Sequence, residues 1–188
     1  MKQRYLAATY AAVLTTANIN TSSFAITALS SREGYSLLEC WKLSSMPVEA
    51  MDAINFNIGS TTKATWSVIE PHTTVGEAWA PSVQLSIILN GLIRITAPSP
   101  ISSNSSLATT PPLCPTNYTN SSQQTSVAYI MPGTIRSSVL IAADMKTTSY
   151  ITGHYTEFPS NEPTVLIQIP FVDNLVPHHV VLHEGPCK

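Results

Sequence analysis

Hydrophobic and polar positions alternate along this chain in short runs, and no segment keeps a helical period over three turns. Val83, Leu85, Ile87 and Leu89 are interleaved with Gln84, Ser86 and Ile88, which predicts a strand with one apolar and one mixed face. Tyr35–Leu43, Ala64–Glu70, Leu92–Ala97, Ser138–Asp144, Tyr150–Tyr155 and Thr164–Pro170 read the same way. Each is rich in β-branched or aromatic residues and bounded by Gly, Pro, Asn or Ser. Asn90-Gly91 separates two such runs and predicts a two-residue hairpin. Val180-Val181-Leu182 reads as strand, and Val48–Ile54 has room for one helical turn. Fourteen prolines spread along the chain oppose long helices. The pattern predicts an all-β domain, a barrel or a double-sheet sandwich.

A length of 188 residues fits one domain, or one domain behind a processed leader. Charged residues make up only 11% of the chain, while 23 Ser and 22 Thr supply polarity in their place. A neutral, hydroxyl-rich surface suits a secreted protein. The net charge of -2 excludes an electrostatic nucleic-acid binder, and no apolar run reaches the roughly 18 residues of a membrane span. Met1-Lys2-Gln3-Arg4, a mild apolar stretch and small residues around Ala17 have the parts of a signal peptide over residues 1–17, with cleavage as late as about Ser30. The folded domain is then expected over residues 31–188. Sequons at Asn20, Asn104, Asn117 and Asn120 point to the secretory lumen, three of them in one Ser/Thr/Pro-rich loop, Pro98–Ser126. That loop reads as a glycosylated surface segment or as a lid.

Cys40, Cys114 and Cys187 match no zinc or redox spacing. In an oxidising compartment two of them pair. Cys40 lies in a strand-like run and Cys187 is penultimate, so a bridge between them would tie the C-terminal tail to the first strand. Cys114, in the loop with the sequons, is left over.

Gly76-Glu77-Ala78-Trp79-Ala80-Pro81-Ser82-Val83-Gln84, running on to Gly91, resembles the first motif of the cupin superfamily: a Gly, His-x-His, a Glu and a closing Gly. Gln84 has the spacing of the Glu, and Ala78 and Ala80 fall at the two His places. Gly153-His154-Tyr155-Thr156-Glu157-Phe158-Pro159 resembles the second motif, with His154 at the metal-binding His. The flanks, Leu38-Glu39-Cys40-Trp41 and Val181 to Cys187, are similar to small secreted fungal cupin-like proteins. The resemblance implies a cupin-type double-stranded β-helix, a jelly-roll barrel of one domain. It also allows a homodimer formed by exchange of edge strands. Ala78, Ala80 and Gln84 replace three of the four usual ligands, so no metal and no other cofactor is expected; a shift of one residue leaves Glu77 and His154 as the best available pair.

Outside these motifs, His72 reads as a loop residue, and the His179/His183 spacing on a strand does not make a zinc pair. The barrel reading places His154, Gln84 and Glu77 as catalytic candidates. Trp79, Trp66, Arg94 and Tyr155, with Glu157 nearby, are expected to line a lumen for a small apolar molecule. His154 beside a carboxylate suits proton transfer, although a buried structural histidine is the competing reading. Replacing His154 by Ala is expected to leave the barrel folded. The expected function is cofactor-free tailoring of an apolar natural product, by isomerisation, dehydration or cyclisation, in the secretory pathway. The alternative is a non-catalytic secreted ligand-binding or effector-like protein.

Overall fold

A computed structural model describes residues 24–99 and 124–188. The expected leader, Cys114 and all four sequons lie outside the described residues. The strands are β1 (Phe24–Arg32), β2 (Tyr35–Leu43), β3 (Val48–Ala50), β4 (Ala53–Asn55), β5 (Thr65–Ile69), β6 (Thr73–Ala78), β7 (Gln84–Asn90), β8 (Ile93–Pro98), β9 (Thr125–Ile130), β10 (Val139–Ala142), β11 (His154–Phe158), β12 (Thr164–Pro170) and β13 (His179–Glu184). One short helix, α1 (Ile135–Ser138), precedes β10. A seven-stranded sheet runs β13-β2-β1-β10-β7-β12-β5, and a four-stranded sheet runs β6-β11-β8-β9. The fold is all-β, with two sheets packed face to face.

The central strands of the larger sheet, β2, β1, β10 and β7, are largely buried on both faces. Leu29, Leu38, Ile88 and Leu140 pack with Ile93, Ile95, Ala128 and Phe158 of the smaller sheet. On the other side, Ile26, Ala28, Trp41, Leu43, Leu85 and Ile141 pack under Phe171 and Ile58. Successive strand side chains alternate between faces, so β1, β2, β7 and β10 each feed both clusters. This explains the nearly unbroken apolar runs in these strands. β1 sits within the sheet, antiparallel to β2 and parallel to β10.

Five expectations are corrected. The fold does not begin at residue 31, because β1 already starts at Phe24 and is joined to β2 by a two-residue turn, Glu33-Gly34, with both φ positive. Asn90-Gly91 does not make a hairpin. β7 is paired on both sides, by β10 and β12, so β8 must leave for the other sheet. Gly91, at φ 81°, makes that crossing against β12, where a Cβ would stand 2.8 Å from the Thr164 Cα. Val48–Ile54 is not helical but forms the β3–β4 hairpin, with positive φ at Met51 and Asp52. The strand expected over Tyr150–Tyr155 starts at His154 instead, since Ile151 N–H donates to Gly34 O at 2.8 Å and holds that segment against the β1–β2 turn. The long loop is also shorter than expected at both ends: Pro98 belongs to β8 and Thr125 and Ser126 to β9.

Cys40 and Cys187 form the expected disulfide, with Cα atoms 4.7 Å apart across 147 residues of sequence. Cys187 N–H donates to Thr27 Oγ1 at 3.0 Å, and Gly185 N–H donates to Leu38 O at 2.8 Å. Arg32 adds ion pairs to Glu39 and Glu184, and His179 stacks on Trp41 with centroids 3.6 Å apart. The hydrogen bond that Arg32 donates to Glu184, reinforced by Glu39, raises the pKa of Arg32 above its ordinary value.

Two outcomes follow for stability. Cys40→Ser with Cys187→Ser should lower the unfolding free energy by about 4–5 kcal/mol, from lost loop-closure entropy, in a denaturant titration of the disulfide-intact protein and its variant. Gly91→Ala should lower the thermal midpoint more than Gly76→Ala, although both residues have φ 81°, because nothing lies within 4 Å of a Cβ at Gly76.

Candidate functional site

β10 runs on into Ala143 and Asp144, and the strand parity that turns Leu140 toward the smaller sheet carries Asp144 to the same side. β11 begins at His154 and turns His154 and Phe158 inward from the opposite sheet. Ser36, at the start of β2, completes the group, its N–H held by Thr152 O at 2.8 Å. His154 Nδ1–H donates to Asp144 Oδ2 at 2.5 Å, and Ser36 Oγ donates to the same oxygen at 2.6 Å. Asp144 and Ser36 are fully buried and His154 is 8% exposed. Asp144 Oδ1 is buried and has no hydrogen-bond partner among the described residues. A buried carboxylate oxygen left in that condition is costly, so the site has unused acceptor capacity.

A polar shell surrounds the pair. Ser31 and Ser149 hydroxyls share a hydrogen bond of 2.5 Å, and Trp79 Nε1–H donates to Ser149 O at 2.7 Å. Lys146 Nζ lies 4.6 Å from the centre of the Trp79 ring. Gly153 N–H donates to Glu77 Oε1 at 3.0 Å. Gly153 packs so closely on Trp79 that a Cβ would come within 2.8 Å of Cε2. The glycine before His154 therefore lets β11 approach the end of β6, where His154 pairs with Ala78.

Of the residues singled out in the sequence, the fold gathers Glu77, Trp79 and His154 around Gly153. Gln84 is buried on β7 and paired with Ala142, two residues before Asp144. Among the described residues its side chain has only a long 3.5 Å contact from Ser82 Oγ. The other four lie elsewhere. Trp66 is 62% exposed on edge strand β5, and Tyr155 is 47% exposed. Arg94 and Glu157 pair with each other on the outward face of the smaller sheet. The Glu157 hydrogen bond, then that of Tyr129, raises the Arg94 pKa. The cause is parity: Ile93 and Ile95 face the core, so Arg94 cannot, and Tyr155 is next to inward-facing His154. His72 occupies a turn with φ 58°, and His179 and His183 bond backbone carbonyls. Among the described residues no three His, Cys, Asp or Glu side chains converge as metal ligands, and no helix is long and apolar enough to cross a membrane.

Sequence reasoning missed Asp144 and Ser36, the direct partners of His154. Asp144 closes the run Ser138–Asp144, and an acid at the end of an apolar strand was the available signal.

A second feature lies on the far face of the larger sheet. A cleft of about 690 Å³ opens beside Leu43, Ile58, Phe171, Leu175, Val176 and His178. No Asp, Glu, Lys or Arg lines it. It contains none of the residues expected to line a lumen, and the space between the sheets is filled by the first core cluster. Ser36 and Leu43 stand at opposite ends of β2, about 23 Å apart at strand rise. The cleft and the His154 group are therefore separate sites.

No family model matches this chain, and no curated protein or solved structure is significantly similar to it.

The buried pairing revises the consequence of removing His154. His154→Ala strands the Asp144 carboxylate in the core and should cost about 3–5 kcal/mol of stability by chemical denaturation. Asp144→Asn combined with His154→Ala should recover part of that loss, because the uncompensated charge is gone.

Proposed function

We propose that the protein binds a small, uncharged, largely apolar molecule in the cleft beside Phe171, as a non-catalytic ligand-binding protein of the secretory pathway. The observation that carries this reading is the cleft itself. Its volume of about 690 Å³ lies within the range of small-molecule sites, and its wall is apolar apart from hydroxyls, one amide and one imidazole. Such a wall offers no counter-charge to an ionic ligand, and its Ser44, Ser45, Ser60 and Asn57 side chains suit hydroxyl or carbonyl groups. The Cys40–Cys187 disulfide and the hydroxyl-rich, weakly charged composition support an oxidising compartment. The all-β double sheet is compatible with a cupin-type jelly roll, and that finer assignment is part of the proposal.

A second reading keeps the proton chemistry expected of His154. It is favoured by the Asp144 hydrogen bond, which fixes Nδ1 as donor and leaves Nε2 as the free basic nitrogen. In this reading a natural product is isomerised, dehydrated or cyclised at the Asp144 end of the sandwich by residues of this chain. A molecule filling the cleft does not reach His154, so the two readings concern different places and are tested separately.

Titration of the secreted protein with Nile red, a neutral apolar probe, should give saturable fluorescence. Leu175→Asp and Val176→Asp, both at positions exposed in the free protein, should each weaken it at least tenfold, since the bound probe would desolvate a charge that has no partner in the cleft wall. His154→Gln should leave it unchanged. Undiminished binding in both aspartate variants would remove the cleft from the proposal. Loss in His154→Gln alone would favour the second reading.

A further inference from the structure

The cleft and the β3–β4 hairpin belong to one stretch of chain. Ser44 and Ser45 line the cleft, residues 57–60 line it again, and the hairpin is what lies between them. Both stems are fastened to the fold: Ser44 N–H donates to His178 O at 2.9 Å, and Val172 N–H donates to Ser60 O at 3.0 Å. Phe56, just after β4, packs on Phe24 with ring centroids 5.5 Å apart, which sets the foot of the hairpin. Beyond that foot the ribbon stands free. Among the described residues no third strand extends it, and all six residues of β3 and β4 are exposed. A two-stranded ribbon by itself is only marginally stable in water. Its tip adds strain, since Met51 and Asp52 both hold positive φ, where glycine or asparagine is the usual choice. The two faces of the ribbon differ. Val48 is paired with Asn55 and Ala50 with Ala53, so these four share one face, which carries no charge. Asn55 turns its amide back onto Val48 O and Ala53 O, both at 3.2 Å, leaving Val48, 62% exposed, and the two alanines as the free surface. Glu49 and Ile54 share the opposite face.

We infer that the β3–β4 hairpin is a movable wall of the ligand site: it folds over the cleft as a flap, and Val48, Ala50 and Ala53 contact the molecule held beside Phe171. This inference rests on the ligand reading of the cleft. Continuity selects the occupant of the uncharged face, because the segments entering and leaving the hairpin are themselves cleft walls. Charge selects it too, since neither surface carries Asp, Glu, Lys or Arg, whereas Glu49 on the other face stays in water. From Val48 to the tip at Met51 the ribbon reaches about 13 Å at strand rise, enough to cross a cleft of about 690 Å³. Closure removes the Val48 side chain and the bound molecule from water together, so the flap acts chiefly on release. It also narrows the ligand class: a molecule enclosed from both sides by uncharged walls has to be apolar on both of its faces.

Stopped-flow release of Nile red from the disulfide-intact protein tests this. Val48→Asp puts a charge on the closing face and should speed release at least tenfold, because closure would desolvate it without a partner. Replacing residues 48–55 by Gly-Gly-Ser should speed release at least as much. Glu49→Lys, on the opposite face, should change it less than about twofold. All these positions are exposed in the free protein, so the thermal midpoint should not move in any of the three variants. Amide hydrogen exchange over residues 48–55 should slow at least tenfold when the probe is saturating, with no such change in β5. Saturable binding with release unchanged in Val48→Asp or in the replacement would overturn the flap and leave the ligand reading of the cleft standing. Faster release without slower exchange in the hairpin would overturn it as well, since the ribbon would then not close. Absence of saturable Nile red binding would overturn the flap and the ligand reading together.

Discussion

The position of β1 between β2 and β10 is the constraint on which the rest of the structure depends. It joins the first hairpin to the β10-β7-β12-β5 half of the sheet, through a parallel ladder at Thr27–Leu140, Ala28–Ile141 and Leu29–Ala142. Without it the larger sheet would fall into two pieces, each with an apolar edge. The same strand supplies Ile26 and Ala28 to one core cluster and Leu29 to the other. Parallel ladders cannot be closed by a tight turn, so this pairing rests on contacts between residues more than a hundred positions apart. The Cys40–Cys187 bridge acts beside it, fixing the chain end to β2 and, through Thr27 Oγ1, to β1.

Two buried carboxylates show how differently a β-sandwich treats an internal charge. Glu39 accepts from Ser30 Oγ, Trp41 Nε1 and Arg32 Nη2, so both oxygens are engaged and a cation is at hand. That arrangement is architectural: it locks Trp41 and ties β1 to β2. Asp144 accepts from Ser36 and His154 through one oxygen only. Its other oxygen is buried and unpartnered among the described residues. A stable core has no need of that cost, which makes the Asp144 end of the sandwich, and not the Glu39 cluster, the place where a buried polar group invites a chemical role.

The cleft beside Phe171 owes its existence to the second core cluster. Phe171 and Ile58 cover the outer face of the larger sheet near Leu43, and the chain segments that carry them stand off enough to leave an apolar opening. It therefore lies on the opposite face of the sheet from His154. Large aliphatic side chains fill the space between the sheets, so the cleft and His154 do not share one cavity.

Local alternation made β2, β5, β7, β8 and β12 legible, because a period of two needs only neighbouring residues to be visible. The Cys40–Cys187 pairing was legible for a similar reason: three cysteines leave few choices, and Cys40 and Cys187 fall at the two ends of the strand pattern. What the sequence could not determine was which sheet a strand joins. Asn90-Gly91 has the chemistry of a hairpin, yet β7 was already paired on both edges, and that occupancy is set by β10 and β12 far along the chain. β1 was hidden because its small residues, Ala25, Thr27, Ala28 and Ser30, resemble the end of a leader until β10 is laid beside them. The partners of His154 were equally invisible, since Asp144 and Ser36 meet it only when two sheets close face to face. Sequence determined the strands and their faces; long-range pairing decided which faces meet.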